Sequence, residues 1–327
     1  MSLSLFQSPG SVVALDDDPD YLAMLSLVAP KEWYVRFFVH AEECIRMLQQ
    51  EPPLWEADAW AQQEVVDLWR QTGAPLIPQI LRYWQAFARR RYALTQVCVV
   101  DYSMPSMDGL QMLSELVDWP GMRILLTGQA DEQIAVQAFN RGLIEQFIPK
   151  HATDVSRRLI ESLVRLQLLA NRQASQVWRG TLTPMQNALL RQPSIARGVS
   201  ELIDSRWVEY VIIGAPFGVL GRDGDGRVGW LQLEPSTGLE ELAEMAESVG
   251  AGAAQLHAIR NGKSLIDIEL GQALGRTEPA TLSPAVQVGA DDTLLGAFFD
   301  LPESHGSAPE GGYNQWLAAQ PARVVRT

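Results

Sequence analysis

Over the first 150 positions, short apolar runs alternate with amphipathic stretches. Ser11–Leu15, Tyr34–Val39, Val97–Asp101, Arg123–Thr127 and Gln146–Ile148 read as strands. The third of these runs through Val97-Cys98-Val99-Val100 without a polar interruption, the pattern of a strand covered on both faces. Between the strands, the stretch ending at Val28 and the stretches Glu42–Gln50, Leu110–Val117 and Ile134–Arg141 place apolar residues at helical spacing. Pro30 stops the first helix, and Gly142 occupies the position where a helix end favours glycine. Strictly alternating strands and helices predict an α/β fold, a doubly wound five-stranded parallel sheet.

One segment interrupts this rhythm. Residues 52–96 are far longer than an ordinary connection and hold four of the ten tryptophans, Trp55, Trp60, Trp69 and Trp84. Ala61, Val65, Leu68 and Trp69 share one helical face, as do Ile77, Ile80, Leu81, Trp84 and Ala88, with Thr72-Gly73-Ala74-Pro75 between them. The pattern predicts a helical hairpin inserted into the α/β domain. It either packs on that domain or offers aromatic anchors to a partner. Its basic end, Arg89-Arg90-Arg91, reads as a solvated face.

From Asp154 to Arg179, Val155, Leu159, Leu163, Leu166, Ala170 and Val177 recur mostly at three- and four-residue steps. That spacing fits both a run-on final helix and the seam of a parallel homodimer. Thr183-Pro184 starts a further helix and Ile195–Ile203 forms another. The last third changes character. Val208–Leu220 and Val228–Leu233 read as two strands across Arg222-Asp223-Gly224-Asp225-Gly226. Leu239–Arg260 is helical with a break near Gly250. Ala285–Val288 and Thr293–Leu301 form a second hairpin across Gly289-Ala290-Asp291-Asp292, and Tyr313–Ala319 is a last helix. Hairpins with helices predict a C-terminal α+β domain. The expected division is 1–151 for the parallel-sheet domain, 152–180 for a helical linker and 181–327 for the second domain.

Charge narrows the function classes. The net charge is −13, and residues 181–327 carry 10 basic against 18 acidic residues. Neither part has the basic footprint of a nucleic-acid binder. No apolar run approaches a membrane span, and Met1–Gly10 lacks the basic and apolar regions of a signal peptide. Cys44 and Cys98 fall inside a helix and a strand, the usage of reduced, buried thiols in a cytoplasmic protein. His40, His151, His257 and His305 have no metal-ligand spacing.

The chemistry lies at the strand ends. Asp16 and Asp17 follow the first strand, Asp101 ends the third, Thr127 the fourth, and Lys150 follows the fifth. A parallel sheet brings these ends to one edge. Clustered carboxylates need a cation, and oxygen ligands of this kind suit Mg²⁺. Asp101 can then act as a nucleophile toward phosphorus, with the Thr127 hydroxyl and the Lys150 ammonium as donors to phosphoryl oxygens.

Residues 11–150 resemble the receiver domain of a two-component response regulator, a flavodoxin-like fold. The resemblance rests on the Asp16-Asp17 pair, on Val-Val-Asp-Tyr-Ser-Met-Pro-Ser-Met-Asp-Gly-Leu around Asp101, on Ile-Leu-Leu-Thr-Gly at Thr127 and on Phe-Ile-Pro-Lys at Lys150. It implies that Asp101 accepts phosphate from a sensor histidine kinase or phosphotransfer protein. It implies that Mg²⁺ is held by Asp17, Asp101 and the Ser103 carbonyl, with Asp16 helping through water, and that Thr127 and Phe147 rearrange on phosphorylation. Two features depart from the family. The order Pro149-Lys150-His151 replaces Lys-Pro and puts the usual cis-proline loop in question. The 84 positions from Asp17 to Asp101 also exceed the norm because of the 52–96 insertion.

The C-terminal domain carries no cyclase, phosphodiesterase, helix-turn-helix or phosphate-loop motif. Three readings stay open: a protein- or ligand-binding output, an enzyme gated by Asp101 that uses acids such as Glu234, Asp267 and Glu269, and, against its charge, a DNA-binding regulator. Asp223-Gly224-Asp225-Gly226 with Glu234 is only loosely similar to a calcium loop, because Arg227 and Val228 occupy positions such a loop needs. A hairpin turn is the simpler reading.

Overall fold

The apolar runs and helical spacings fold into two units. The structure is a computed structural model, and it describes residues 3–128, 132–290, 293–301 and 311–323. In chain order the elements begin with β1 (Phe6–Gln7), β2 (Ser11–Leu15), α1 (Pro19–Val28), β3 (Tyr34–Phe38), α2 (Ala41–Leu48), α3 (Pro52–Thr72) and α4 (Leu76–Ala93). There follow β4 (Thr95–Asp101), α5 (Gly109–Ser114), β5 (Met122–Thr127), α6 (Glu132–Asn140), β6 (Gln146–Pro149), α7 (Val155–Ala170) and α8 (Arg172–Arg179). Then come α9 (Pro184–Leu190), α10 (Pro193–Asp204), β7 (Glu209–Gly214), β8 (Phe217–Arg222), β9 (Val228–Pro235), α11 (Leu239–Ser248) and α12 (Ala253–Arg260). The chain closes with β10 (Ser264–Ile266), α13 (Ile268–Ala273), β11 (Leu282–Pro284), β12 (Val286–Gln287), β13 (Leu294–Asp300) and α14 (Tyr313–Ala318).

The α/β unit comprises residues 9–60, 88–172 and 316–327. Its five parallel strands run in the order β3-β2-β4-β5-β6, the expected doubly wound sheet. Alternate strand residues feed two cores. Val13, Leu15, Cys98, Val100 and Leu125 face α2 and α5, while Val12, Ala14, Val97, Val99, Ile124 and Leu126 face α1 and α7. Cys44 and Cys98 are free thiols, both fully buried in the first core. Leu159, Leu163 and Leu166 of α7 are buried in the second core. The apolar face expected to form a dimer seam is therefore occupied by the protein's own sheet. The helix also ends at Asn171 and does not run on to Arg179. A three- and four-residue spacing identifies a buried helix face without identifying what buries it.

The other unit comprises residues 1–8, 61–87 and 173–315. Its sheet is antiparallel, ordered β1-β7-β8-β9-β13-β12, with β10 and β11 paired separately. The expected single strand 208–220 is two strands, β7 and β8, turning at Ala215-Pro216. Proline cannot donate to a ladder, so the apolar run folds back there. Asp223 Oδ1 accepts from the amides of Asp225 (2.9 Å) and Arg227 (2.8 Å), so 223–227 is a hairpin turn. The second expected hairpin exists between β12 and β13, although Asp291 and Asp292 of its turn, like His305, lie outside the described residues.

The domain boundaries differ from those expected in one consequential way. The hairpin α3–α4 forms as expected, yet its middle, Ala61–Phe87, belongs to the antiparallel unit. There Val65, Val66, Leu76, Ile77, Ile80 and Trp84 join the core built by Trp178, Val211, Leu220 and Trp230. Trp178 Nε1 donates to Gln62 at 2.8 Å, and the Arg222 guanidinium lies 5.2 Å from the Trp84 ring centre. The two roots of the insertion stay in the α/β unit and are joined there. Buried Glu51 accepts from the Thr95 amide (3.1 Å), the Thr95 hydroxyl (2.6 Å) and Trp119 Nε1 (3.1 Å). Arg91 is not solvated as expected: it is buried and pairs with Asp58 at 3.5 Å.

Candidate functional site

The site lies where β2 and β4 run side by side and the chain leaves toward opposite neighbours, β3 and β5. In an open parallel sheet this switch point gathers ligands. Asp16 directly follows β2 and Asp101 is the last residue of β4, and both are buried. Asp17 is exposed beside them. Oxygens from Asp16, Asp17 and Asp101 lie within 4.8 Å of one another. Lys150 follows β6, and its Nζ bridges the two buried carboxylates, 2.7 Å from Asp16 Oδ2 and 2.8 Å from Asp101 Oδ1.

The local backbone explains how the edge is held. Asp18 caps α1, accepting from the amides of Asp20 (2.9 Å) and Tyr21 (3.2 Å), and the Asp18 amide donates to Asp16 at 3.1 Å. Asp108 and Gln111 form a reciprocal capping box that starts α5. Gly109 is required by close approach: a Cβ there would lie 2.3 Å from the Asp101 carbonyl oxygen. The Lys150 amide donates to the Thr127 carbonyl at 2.9 Å, tying the ends of β5 and β6 together.

Burial pushes the Asp16 carboxyl above its ordinary value, against the pull of Lys150. Burial also opposes the Lys150 charge, but hydrogen bonds to Asp101 and Asp16 outweigh it and the ammonium is held above its ordinary value. One cation therefore serves two buried carboxylates, which leaves the edge short of positive charge. The Thr127 hydroxyl is wholly buried and has no hydrogen-bond partner among the described residues. An unpaired donor beside a cluster of oxygen ligands fits a site built for an oxyanion and a hard cation.

The structure thus brings Asp16, Asp17, Asp101 and Lys150 together, with Thr127 one residue beyond the Asp101 level on the neighbouring strand. Ser103 is exposed in the loop two residues past Asp101, and Phe147 is half-buried on β6. Among the described residues the one cis peptide bond is Ala215–Pro216, so the loop after Pro149 runs through trans bonds. An open cleft of about 680 Å³ borders Asp17, lined by His40, Glu43, Arg46, Met104 and Ser106 among others. Sequence reasoning missed Tyr21, whose ring lies against Lys150 with Nζ 4.5 Å from the ring centre.

Of the acids considered in the second domain, Glu234 and Glu269 lie close enough for their charges to interact, while Asp267 stands apart in its own ion pair. Asp267 is engaged by Arg276 (2.6 Å) and the Thr281 hydroxyl (2.9 Å). Glu234 is raised to about 7 by burial first, and then by the charges of Glu269 and Glu241.

No family model and no curated protein sequence matches the chain. Among solved structures, the Legionella pneumophila response regulator LqsR matches with a TM-score of 0.72 at 24% identity, over 98% of this chain and 96% of that one. The two proteins share a fold over essentially their full length. A response regulator receiver domain protein from Clostridium thermocellum matches at 17% identity and TM-score 0.31, over 49% of this chain and 98% of that one. A CheY-like receiver domain protein from Methanospirillum hungatei matches at 16% identity and TM-score 0.34, over 52% and 99%. No helix among the described residues is long and apolar enough to cross a membrane.

Proposed function

We propose that this protein is a response regulator: its α/β unit receives a phosphoryl group on Asp101, and its antiparallel unit delivers the response. The observation that carries this reading is the bridged edge, with Lys150 held between Asp16 and Asp101 beside exposed Asp17 and the unpaired hydroxyl of Thr127. The fold shared with LqsR over both units supports it.

The donor is a phosphohistidine on a kinase or phosphotransfer partner. An Asp101 carboxylate oxygen attacks phosphorus in line. The new oxygen–phosphorus bond forms as the phosphorus–nitrogen bond breaks, and the electron pair leaves with the imidazole nitrogen. Charge develops on the equatorial oxygens, and catalysis consists of positioning and of stabilising that charge. The Lys150 ammonium and the Thr127 hydroxyl are the donors placed to take those oxygens. Asp16, Asp17 and Asp101, with the Ser103 carbonyl, would hold Mg²⁺, which when bound supplies the positive charge the acidic edge lacks. Two buried free thiols fit a reducing, cytoplasmic setting.

The test is phosphorylation of the full chain by a small phosphodonor with Mg²⁺, read as added mass. The expected adduct is abolished by Asp101→Asn and by chelating the metal. An adduct that persists at the wild-type level in Asp101→Asn overturns the assignment.

A further inference from the structure

Tyr21 stands in the first turn of α1, five positions past Asp16, on an element that ends no strand. Its backbone is fixed there by the Asp18 cap. Its ring presents a face to Lys150, with Nζ 4.5 Å from the centroid. The same Nζ reaches Asp16 and Asp101 at 2.7 and 2.8 Å. The ammonium is thus held by carboxylate oxygens just after β2 and at the end of β4, and by a π face on α1. The Tyr21 hydroxyl is buried and, among the described residues, unpaired. A buried hydroxyl without a partner is a cost that phenylalanine or leucine would avoid. What distinguishes the ring from an aliphatic filler is the face it turns to the Lys150 ammonium. Burial also raises the phenol above its ordinary value, so the ring stays neutral beside the cation.

Lysine needs such help. Its charge sits on a four-carbon stem with large rotamer freedom, and here it follows Pro149 at the mouth of the sheet. We infer that Tyr21 is a positioning residue: its ring holds the Lys150 ammonium at the acidic edge by a cation–π contact, so that the cation meets phosphoryl oxygens already in place. A partly desolvated contact of this kind corresponds to about a 2- to 30-fold effect on any equilibrium that uses the placed cation.

This inference rests on Asp101 being the phosphoacceptor, and the experiment separates the two. Full-length wild type, Tyr21→Leu and Tyr21→Phe are titrated with beryllofluoride in the presence of Mg²⁺. In parallel the lysine side chains are followed by NMR. The chain has only three lysines, Lys31, Lys150 and Lys263, so Lys150 is assigned by its loss in Lys150→Arg. Tyr21→Leu should weaken beryllofluoride binding by about 2- to 30-fold and remove the upfield ring-current shift of the Lys150 ε protons. Tyr21→Phe should restore both, affinity to within about twofold, because it keeps the π face. Wild-type affinity in Tyr21→Leu, an unmoved Lys150 signal, or a loss that phenylalanine does not restore each overturns the inference. If Tyr21→Leu does not fold, Tyr21→Met replaces it with the same expectations, since it fills the volume without a ring. If wild type binds no beryllofluoride, the phosphoacceptor reading fails. The Lys150 shift, present and lost with the ring or absent from the start, then decides the Tyr21 contact alone.

Discussion

Replacing Gly109 with alanine probes the acidic edge without touching a charge. A Cβ at this position would lie 2.3 Å from the Asp101 carbonyl oxygen, 3.1 Å from its carbonyl carbon and 3.0 Å from Leu125 Cδ1. A comfortable contact needs roughly 3.5 Å, so about 1 Å of movement must be found. The near neighbour is backbone, and it cannot swing aside as a side chain would. The first turn of α5 is held in turn by the Asp108–Gln111 capping box and by the bond from the Gly109 amide to Tyr102 at 2.9 Å. The displacement therefore falls on the Asp101 peptide. Overpacking of this kind costs roughly 1–3 kcal/mol of stability, and a misplacement of about 1 Å at a reacting group costs on the order of 100-fold in rate. Gly109→Ala should lower the midpoint of thermal unfolding. It should slow phosphorylation by a small phosphodonor far more than the stability loss alone explains, measured where the variant is fully folded. Phosphorylation at the wild-type rate in a folded Gly109→Ala protein would refute the claim that the Asp101 carbonyl sets the position of the carboxylate.

Two further predictions concern the antiparallel unit. Glu234 has a folded pKa of about 7 against an ordinary 4.5, so the folded state holds this proton more tightly than the unfolded chain. Its favourable contribution is complete below pH 4.5 and is lost as pH rises to 7, worth up to about 3 kcal/mol. Thermal unfolding followed from pH 4.5 to 7.5 should show a loss of stability that Glu234→Gln flattens; an equally steep dependence in the variant speaks against it. A fragment limited to residues 173–327 lacks Ala61–Phe87 and with it Trp84, Ile77 and Ile80. It should show no cooperative calorimetric transition, and a sharp one near that of the whole protein would contradict the shared core.

The sequence made the site legible because each of its residues sits at a strand end, where short-range pattern suffices. Asp16, Asp17, Asp101, Thr127 and Lys150 are placed by the sheet alone. Tyr21 was invisible because its contact with Lys150 joins α1 to the end of β6 and leaves no local signature. Elsewhere the missing information was the identity of a neighbour. Leu159, Leu163 and Leu166 announce a buried face equally well for a coiled coil and for a helix lying on a sheet. The faces of α3 and α4 likewise announce burial, and nothing in their spacing distinguishes a parallel sheet from an antiparallel one. The break at Ala215-Pro216 was readable, since Pro216 stands inside the apolar run; the length of that run concealed it.

The chain crosses between the two units five times, after Ser8, Trp60, Phe87, Arg172 and Gln315. This connectivity has a consequence during synthesis. The hairpin face carrying Val66, Leu76, Ile77, Ile80 and Trp84 leaves the ribosome long before β13, the strand that ends the antiparallel core at Asp300. At ordinary rates of synthesis that interval is about 10–40 s. Meanwhile the parallel sheet is complete by Pro149, yet its unit still awaits Trp316, whose ring packs edge-on to Tyr34 at 5.1 Å. The antiparallel core cannot close before β13 is made, so the nascent protein carries an uncovered tryptophan-bearing helix pair throughout that interval.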